Sequence, residues 1–92
     1  MYKITYSKKA QKSLKRLYRS GNFDEVETAL IVNRLAAGEI LEARYRNHSL
    51  QGEYANCFEC HVKSDLLLIY EIDKTEEMLT VVDMGSHSDL FR

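Results

Sequence analysis

The sequence predicts a single α+β domain: a strand and a helical hairpin come first, and the helix pair packs on one face of a small antiparallel sheet. The chain has 92 residues, which is too short for two separate cores. Helix-like spacing of apolar residues is confined to the first half, whereas the second half alternates as strands do. A hydrophobic fraction of 45% with 29% charged residues is typical of a folded chain.

The first strand is predicted over residues 2–6, because Tyr2, Ile4 and Tyr6 alternate with polar residues. Ser7 can then cap a helix. That helix has an apolar stripe formed by Ala10, Leu14, Leu17 and Tyr18. Its opposite side is basic and carries Lys8, Lys12, Lys15 and Arg19. The helix is expected to end at residues 20–22, where a glycine suits the left-handed position after a helix.

A second helix is predicted to begin near Asn22 or Phe23 and to end at Gly38. Acidic residues occupy its first turns, where the helix dipole favours negative charge. Its inward stripe is expected to consist of Val26, Leu30, Ile31 and Leu35. Because the connection between the two helices is short, they should form an antiparallel hairpin.

Three strands are predicted in the second half, over residues 57–63, 66–70 and 78–84. In the first of these, Phe58, Cys60 and Val62 should face the helices. The opposite side of that strand, which carries Cys57, Glu59, His61 and Lys63, should be open to solvent. A turn and a short terminal segment follow the last strand.

Charge is distributed unevenly along the chain. The net charge of -1 argues against a general nucleic-acid binder, yet residues 1–20 contain seven lysines and arginines and no acid. Such a basic segment can bind an acidic partner or a polyanion, or it can be a solvated helix face. No window is long and apolar enough to cross a membrane and no signal peptide is recognisable, so a cytoplasmic location is predicted.

Two chemistries compete for the polar residues of the second half. Cys57 and Cys60 should face opposite sides of a strand, so a zinc site with His48 and His87 is the less favoured alternative. No metal site and no cofactor are therefore predicted. The histidines His48, His61 and His87 all avoid the apolar stripes, which suits general acid and base roles beside Glu59.

Cleavage of RNA fits this set, because its nucleophile is the substrate's own 2′-hydroxyl. The protein then needs only to move two protons and to neutralise a phosphate. Arg44, Arg46 and Lys63 are candidates for the phosphate, and Phe91 for stacking on a base. The alternative is that these cations only solubilise the surface and that Phe91 only anchors the C-terminal segment.

Three blocks of the sequence, residues 47–52, 59–70 and 85–91, resemble the signature blocks of the YafQ-type toxins in the RelE superfamily of bacterial toxin–antitoxin systems. The resemblance implies a RelE-like fold and an mRNA endoribonuclease that cuts messages in the ribosomal A site. It also implies a cognate antitoxin that holds the toxin inactive. The positions that match functional residues of the family are His48, Glu59, His61, Asp65, His87 and Phe91.

The sequence departs from the family pattern at four positions. Phe58 replaces an arginine, so phosphate binding should fall to Lys63, Arg46 or Arg44. Ser49 and Ser64 replace prolines, and Leu66 replaces a tryptophan of some members. The expected antitoxin is acidic, partly disordered when free, and covers the basic residues 1–20. A ParE-like gyrase inhibitor and a non-catalytic interaction module are the alternatives.

Overall fold

The structure, a computed structural model, describes residues 1–21 and 23–91. Its helices are α1 (Lys8–Ser20), α2 (Glu25–Ala36) and α3 (His87–Leu90). Its strands are β1 (Lys3–Tyr6), β2 (His48–Ser49), β3 (Phe58–Lys63), β4 (Leu66–Asp73) and β5 (Met78–Gly85). Two single-turn 3₁₀ helices span Ala43–Tyr45 and Gly52–Tyr54. The predicted α+β class is confirmed.

The five strands form one sheet in the order β1-β5-β4-β3-β2. Successive strands from β2 to β5 pair antiparallel, as predicted. The first strand differs, because β1 pairs parallel with β5, with Lys3 opposite Met78. The helical hairpin carries the chain over the sheet between β1 and the rest, which makes this mixed sheet possible. Strand β2 is only two residues long, and no sequence pattern predicted it.

Helix α1 has both predicted ends. The Ser7 hydroxyl accepts a hydrogen bond from the backbone N–H of Ala10 at 3.0 Å, and Gly21 follows the helix with a φ of 75°. The buried side of α1 consists of Ala10, Ser13 and Leu17. Ser13 is buried because its hydroxyl donates to Oδ1 of the buried Asp83 at 2.5 Å.

Helix α2 corrects two sequence predictions. It begins at Glu25, with Asp24 as the N-cap, later than the predicted start at Asn22 or Phe23; Asn22 itself lies outside the described residues. Val26 is 81% exposed and Leu30 is 50% exposed, so neither belongs to the inward stripe. The buried side is Thr28, Ile31, Val32, Leu35 and Ala36. Apolar residues occupy both sides of this helix, so their spacing alone did not identify the inner side.

The main core lies between the two long helices and one face of the sheet. Its fully buried residues include Ile31, Leu68, Leu79, Val81 and Met84. The opposite face was predicted to be open, and this prediction is wrong. A second, smaller core covers part of that face, because the 3₁₀ helix at Gly52–Tyr54 and helix α3 lie beside it. It consists of Cys57, Leu67, Ile69 and Leu90, with Leu50, Tyr54 and Val82 packed against it.

The two cysteines lie in different cores, as the strand alternation predicted. Cys60 belongs to the main core and Cys57 to the smaller one, and both are free thiols. Burial raises the pKa of the Cys60 thiol to about 12. Because Cys57 and Cys60 lie in different cores, the two thiols do not form a pair of ligands for one metal ion. None of the helices in residues 1–21 and 23–91 has the length and apolar character needed to cross a membrane.

Candidate active site

The strand register brings His48, Glu59 and His61 to one side of the sheet. His48 of β2 lies opposite Glu59 of β3. His61 is two residues further along β3, on the same face as Glu59, and lies opposite Leu67 of β4. Leu67 in turn lies opposite Gly85 of β5, two residues before His87. Because neighbouring strands are roughly 5 Å apart, β3 with His61 and β5, which leads into α3, lie about 10 Å apart on either side of β4.

Glu59 is a buried carboxylate placed between two imidazoles. Its residue exposure is 4%, although the sequence predicted it on an open surface. Oε1 of Glu59 lies 3.5 Å from Nε2 of His48 and 3.7 Å from Nε2 of His61. Oε2 of Glu59 has no hydrogen-bond partner among the described residues. A buried carboxylate oxygen without a partner costs free energy.

The loop before β2 fixes the orientation of His48. Arg46 adopts a left-handed conformation with a φ of 49°, and its carbonyl oxygen lies 2.6 Å from Nδ1 of His48. Because a carbonyl oxygen only accepts, Nδ1 of His48 is the donor in this pair. The Nε2 atom of His48 is therefore the one that faces Glu59 and is available to gain or lose a proton.

A tyrosine of the main core anchors the same loop. The hydroxyl of Tyr70 donates to Oδ1 of Asn47 at 2.9 Å, and burial raises the pKa of Tyr70 to about 12. The ring of Phe58 stacks on that of Tyr70 with a centroid distance of 5.6 Å. Phe58 therefore packs beside the loop of His48, at the position where an arginine was expected to meet a phosphate.

Helix α3 begins with His87, directly after β5. The backbone N–H of His87 donates to Oδ1 of Asp65 at 3.1 Å, so Asp65 contacts the helix start and not the imidazole. Ser86 and Asp89 form a reciprocal capping box. The ring of His87 lies 5.1 Å from that of Phe91 and is tilted by 46°. Among the described residues, the imidazole of His87 is not paired with Glu59.

Phe91 lies at the outer end of this segment. Its ring also meets the edge of Tyr54, with a centroid distance of 6.1 Å, and 38% of the residue remains exposed. Part of the ring therefore anchors the terminal segment, and part of it is accessible beside His87. Both sequence interpretations of Phe91 agree with this placement.

The three candidate phosphate ligands line one cavity beside His61. The cavity has a volume of about 440 Å³. Its lining consists of Glu27, Arg44, Tyr45, Arg46, His61, Val62, Lys63 and Ser64. The guanidinium of Arg44 lies over the Tyr45 ring, 4.7 Å from its centroid. Arg46 has no acidic partner among the described residues, so its charge is available to a phosphate.

Lys63 is placed differently from the prediction. A register shift between His61 and Lys63 interrupts the alternation of β3. Nζ of Lys63 lies 2.9 Å from Oδ2 of Asp24, the N-cap of α2. The backbone N–H of Glu27 and the ammonium of Lys63 both lower the pKa of Asp24. Lys63 therefore lines the phosphate cavity while it is paired with an acid.

The sequence reasoning missed the residues that support the site. Asn47, Tyr45 and Tyr70 hold its loops, and Tyr54 holds Phe91. Asn47 lies inside a recognised block and could have been found there, whereas the tyrosines carried no sequence signal that distinguishes support from ordinary packing. No group of three histidine, cysteine or acidic side chains in residues 1–21 and 23–91 has the arrangement of a metal site.

Comparisons with known proteins identify the relatives of this chain. Residues 2–92 match the family described as "Bacterial toxin of type II toxin-antitoxin system, YafQ". The chain belongs to the YafQ family of toxins. The resemblance of the three sequence blocks is thereby confirmed. The YafQ family also accounts for the fold, since the helical hairpin and the five-stranded sheet recur in solved YafQ structures.

Three relatives show how far the YafQ likeness extends. The chain is 33% identical over 90 residues to the mRNA interferase toxin YafQ of Escherichia coli (strain K12). The aligned region covers 98% of this chain and 91% of that protein. A metal-bound toxin from Helicobacter pylori is 44% identical with a TM-score of 0.90, over 99% of this chain and 100% of that one. YafQ in the E. coli DinJ–YafQ complex is 26% identical with a TM-score of 0.86, over 100% of both chains.

Proposed function

We propose that this YafQ-family chain is an mRNA endoribonuclease that cleaves by attack of the substrate's 2′-hydroxyl. The observation that carries the proposal is the buried Glu59 between His48 and His61. The name of the E. coli relative, an mRNA interferase, supports the same substrate. A ParE-like gyrase inhibitor acts by binding and would not use such a set.

The proton transfers balance without any further reactant. His61, oriented by Glu59, accepts the proton of the 2′-hydroxyl while the 2′-oxygen forms a bond to phosphorus. The bond from phosphorus to the 5′-oxygen breaks, and His87 in its protonated form donates a proton to that oxygen. The products are a 2′,3′-cyclic phosphate and a free 5′-hydroxyl. The same carboxylate faces Nε2 of His48, which can restore protons between turnovers.

The cations beside His61 supply the charge that the reaction needs. Negative charge increases on the phosphate oxygens as the 2′-oxygen attacks, and fixed cations stabilise that charge. Arg46 is the best placed of the three, because it is exposed and lacks an acidic partner among the described residues. Arg44 and Lys63 line the same cavity. No step requires a metal ion, so we propose that cleavage is metal-independent.

We further propose that the ribosome presents the message. Three cations and a net charge of -1 give weak electrostatic binding to free RNA. A ribosome that holds the message in place would supply the positioning that this small surface lacks. The exposed part of Phe91 can stack on one base of the presented message. This role places the protein in the cytoplasm.

We propose a cognate antitoxin as the partner of this chain. The related YafQ of E. coli forms a complex with DinJ. In this chain the outward stripe of α1, formed by Lys8, Lys12, Lys15 and Arg19, is exposed. An acidic segment would be steered to such a stripe. The antitoxin is expected to be partly disordered when free and to fold as it binds.

Expression of the chain alone in bacteria tests the proposed function. Growth should stop because translation stops, and co-expression of the neighbouring antitoxin gene should restore growth. His87→Ala should relieve the arrest while the protein stays folded. Arrest that persists in the variant with all three histidines changed to alanine, or that follows DNA damage in place of translation arrest, would support the gyrase alternative.

A further inference from the structure

Two cations of α1 lie on a different flank of the helix from the exposed basic stripe. Lys9 and Arg16 are two helical turns apart, so they share one flank, which points toward the C-terminal segment. Nζ of Lys9 donates to the hydroxyl of Tyr54 at 2.8 Å. A guanidinium nitrogen of Arg16 lies 3.6 Å from Oδ2 of Asp89. Asp89 belongs to α3, and Tyr54 packs against Phe91, the residue after α3.

Arg16 contacts the residue that closes the capping box of α3. Helix α3 has only four residues, too few for a helix to be stable by itself. Asp89 accepts from the backbone N–H of Ser86 at 3.0 Å, and the Ser86 hydroxyl accepts from the N–H of Asp89 at 3.1 Å. A Cβ atom at Gly85 would lie 3.0 Å from Asp89 and 3.3 Å from Arg16. Gly85 therefore lies directly against the side chain of Asp89 and the end of Arg16.

Lys9 reaches the other end of α3 through two rings. The Tyr54 ring that it hydrogen-bonds meets Phe91 edge-on at 6.1 Å, and Phe91 lies 5.1 Å from the imidazole of His87. Lys9 itself is held, because its ammonium lies 3.8 Å from the buried carboxylate of Asp83. The hydrogen bond to Tyr54 and the charge of Asp83 contribute to the raised pKa of Lys9.

We propose that Lys9 and Arg16 are positioning residues that hold the imidazole of His87 in place. Arg16 acts through Asp89 at the first turn of α3, and Lys9 acts through Tyr54 and Phe91 at its end. This inference rests on the proposed function, in which His87 protonates the leaving oxygen. Misplacement of a reacting group by about 1 Å can lower a rate by roughly 100-fold. The contacts of Lys9 and Arg16, which we call the α1 brace, should therefore affect turnover strongly.

The kcat and KM of variants, measured in steady-state cleavage, test the α1 brace formed by Lys9 and Arg16. Lys9→Met and Arg16→Met should lower kcat by about tenfold or more with little change in KM. Lys9→Arg and Arg16→Lys should restore part of the lost kcat. Lys74→Met, an exposed lysine in the β4–β5 turn, removes the same charge and should behave as the wild type. If the kcat of Arg16→Met equals that of Lys74→Met, or if Arg16→Met changes only KM, the proposal is overturned.

Two further measurements separate the α1 brace from the proposed function. In the free protein, the proton resonances of the His87 ring should shift in Arg16→Met and stay in place in Lys74→Met. The double variant of Arg16→Met with Asp89→Asn should lose no more kcat than the more affected single variant. Unchanged His87 resonances or additive losses would contradict the α1 brace. Full activity of His87→Ala would contradict the proposed function. The shift of the His87 resonances in Arg16→Met would still show whether the α1 brace positions that ring.

Discussion

His48 and Glu59 face each other across the short ladder between β2 and β3, and their side chains approach with Nε2 of His48 3.5 Å from Oε1 of Glu59. This relationship requires β2, a strand of only two residues, to be in register with β3. It also requires Glu59 to be buried, since a solvated carboxylate would be screened from the imidazole. The pairing places the buried acid of the site beside an exposed imidazole that can exchange protons with solvent.

Removal of the charge at Glu59 is predicted to abolish most of the activity. Glu59→Gln keeps the shape of the side chain but no longer orients the two imidazoles, so the cleavage rate should fall by about 100- to 10,000-fold. The free energy of unfolding should be kept or increased, because a neutral amide costs less to bury than a carboxylate. Glu76→Gln in the exposed β4–β5 turn is the matched control. A folded Glu59→Gln protein that cleaves at the rate of the control would contradict the assignment.

Tyr70→Phe is predicted to loosen the loop that carries His48. The variant loses the hydrogen bond to Asn47 and should be less stable by about 1 kcal/mol near neutral pH. Its kcat should also fall, because Asn47 directly precedes His48. Urea unfolding together with cleavage kinetics measures both effects. An unchanged kcat in the destabilised variant would show that Tyr70 serves only the core.

The same substitution changes the stability at high pH. Because burial raises the pKa of Tyr70 from 10.0 to about 12, the folded state holds this proton more tightly than the unfolded state. The contribution is complete below pH 10 and is lost as the pH rises to about 12. The stability difference between wild type and Tyr70→Phe should therefore shrink over this range. A difference that stays constant would contradict the burial of a neutral hydroxyl.

Asp24→Asn is predicted to release Lys63 into the phosphate cavity. Asparagine also caps helices well, so α2 should persist while Lys63 loses its ion pair. The KM for RNA should then fall, and kcat should change little. Because the folded-state pKa of Asp24 is lowered, its contribution to stability is present above 3.8 and lost as the pH falls through the folded-state value. This acid-dependent contribution should be missing in Asp24→Asn.

Charge reversal on the outward stripe of α1 tests the antitoxin surface. Lys8→Glu, Lys12→Glu and Lys15→Glu together should weaken antitoxin binding, most strongly at low salt, and leave ribosome binding intact. The opposite pattern would assign the stripe to ribosomal RNA. If neither affinity changes at low ionic strength, the stripe is only a solvated helix face. Both affinities can be measured with the same purified protein.

Local patterns predicted most of the fold. The cap at Ser7, the end of α1 and the strand alternation of β3 depend on neighbouring residues, which is why the sequence indicated them. The inner side of α2 could not be read this way, because Val26 and Leu30 are apolar but exposed. The parallel pairing of β1 with β5 depends on contacts between distant parts of the chain, and local spacing contains no information about them.

The structure brings three of the predicted site residues together, Glu59, His48 and His61, in an environment that the sequence did not predict. The three histidines and Glu59 were identified from residue type, strand alternation and family resemblance. Burial of Glu59 was missed, because strand alternation shows which face a side chain occupies but not what covers that face. The register shift that turns Lys63 toward Asp24 was also missed, since one extra residue in a strand leaves no recognisable sequence pattern.

Mapping the ends of the cleaved RNA tests the central claim most directly. Purified protein, with ribosomes and message, should cleave in the presence of a chelator that leaves the Mg²⁺ of the ribosome in place, and should leave a 2′,3′-cyclic phosphate or 3′-phosphate upstream and a free 5′-hydroxyl downstream. His87→Ala should lose this cleavage while it still binds ribosomes. Products with a 5′-phosphate, or cleavage that stops when the chelator is added, would contradict attack by the 2′-hydroxyl between Glu59, His61 and His87.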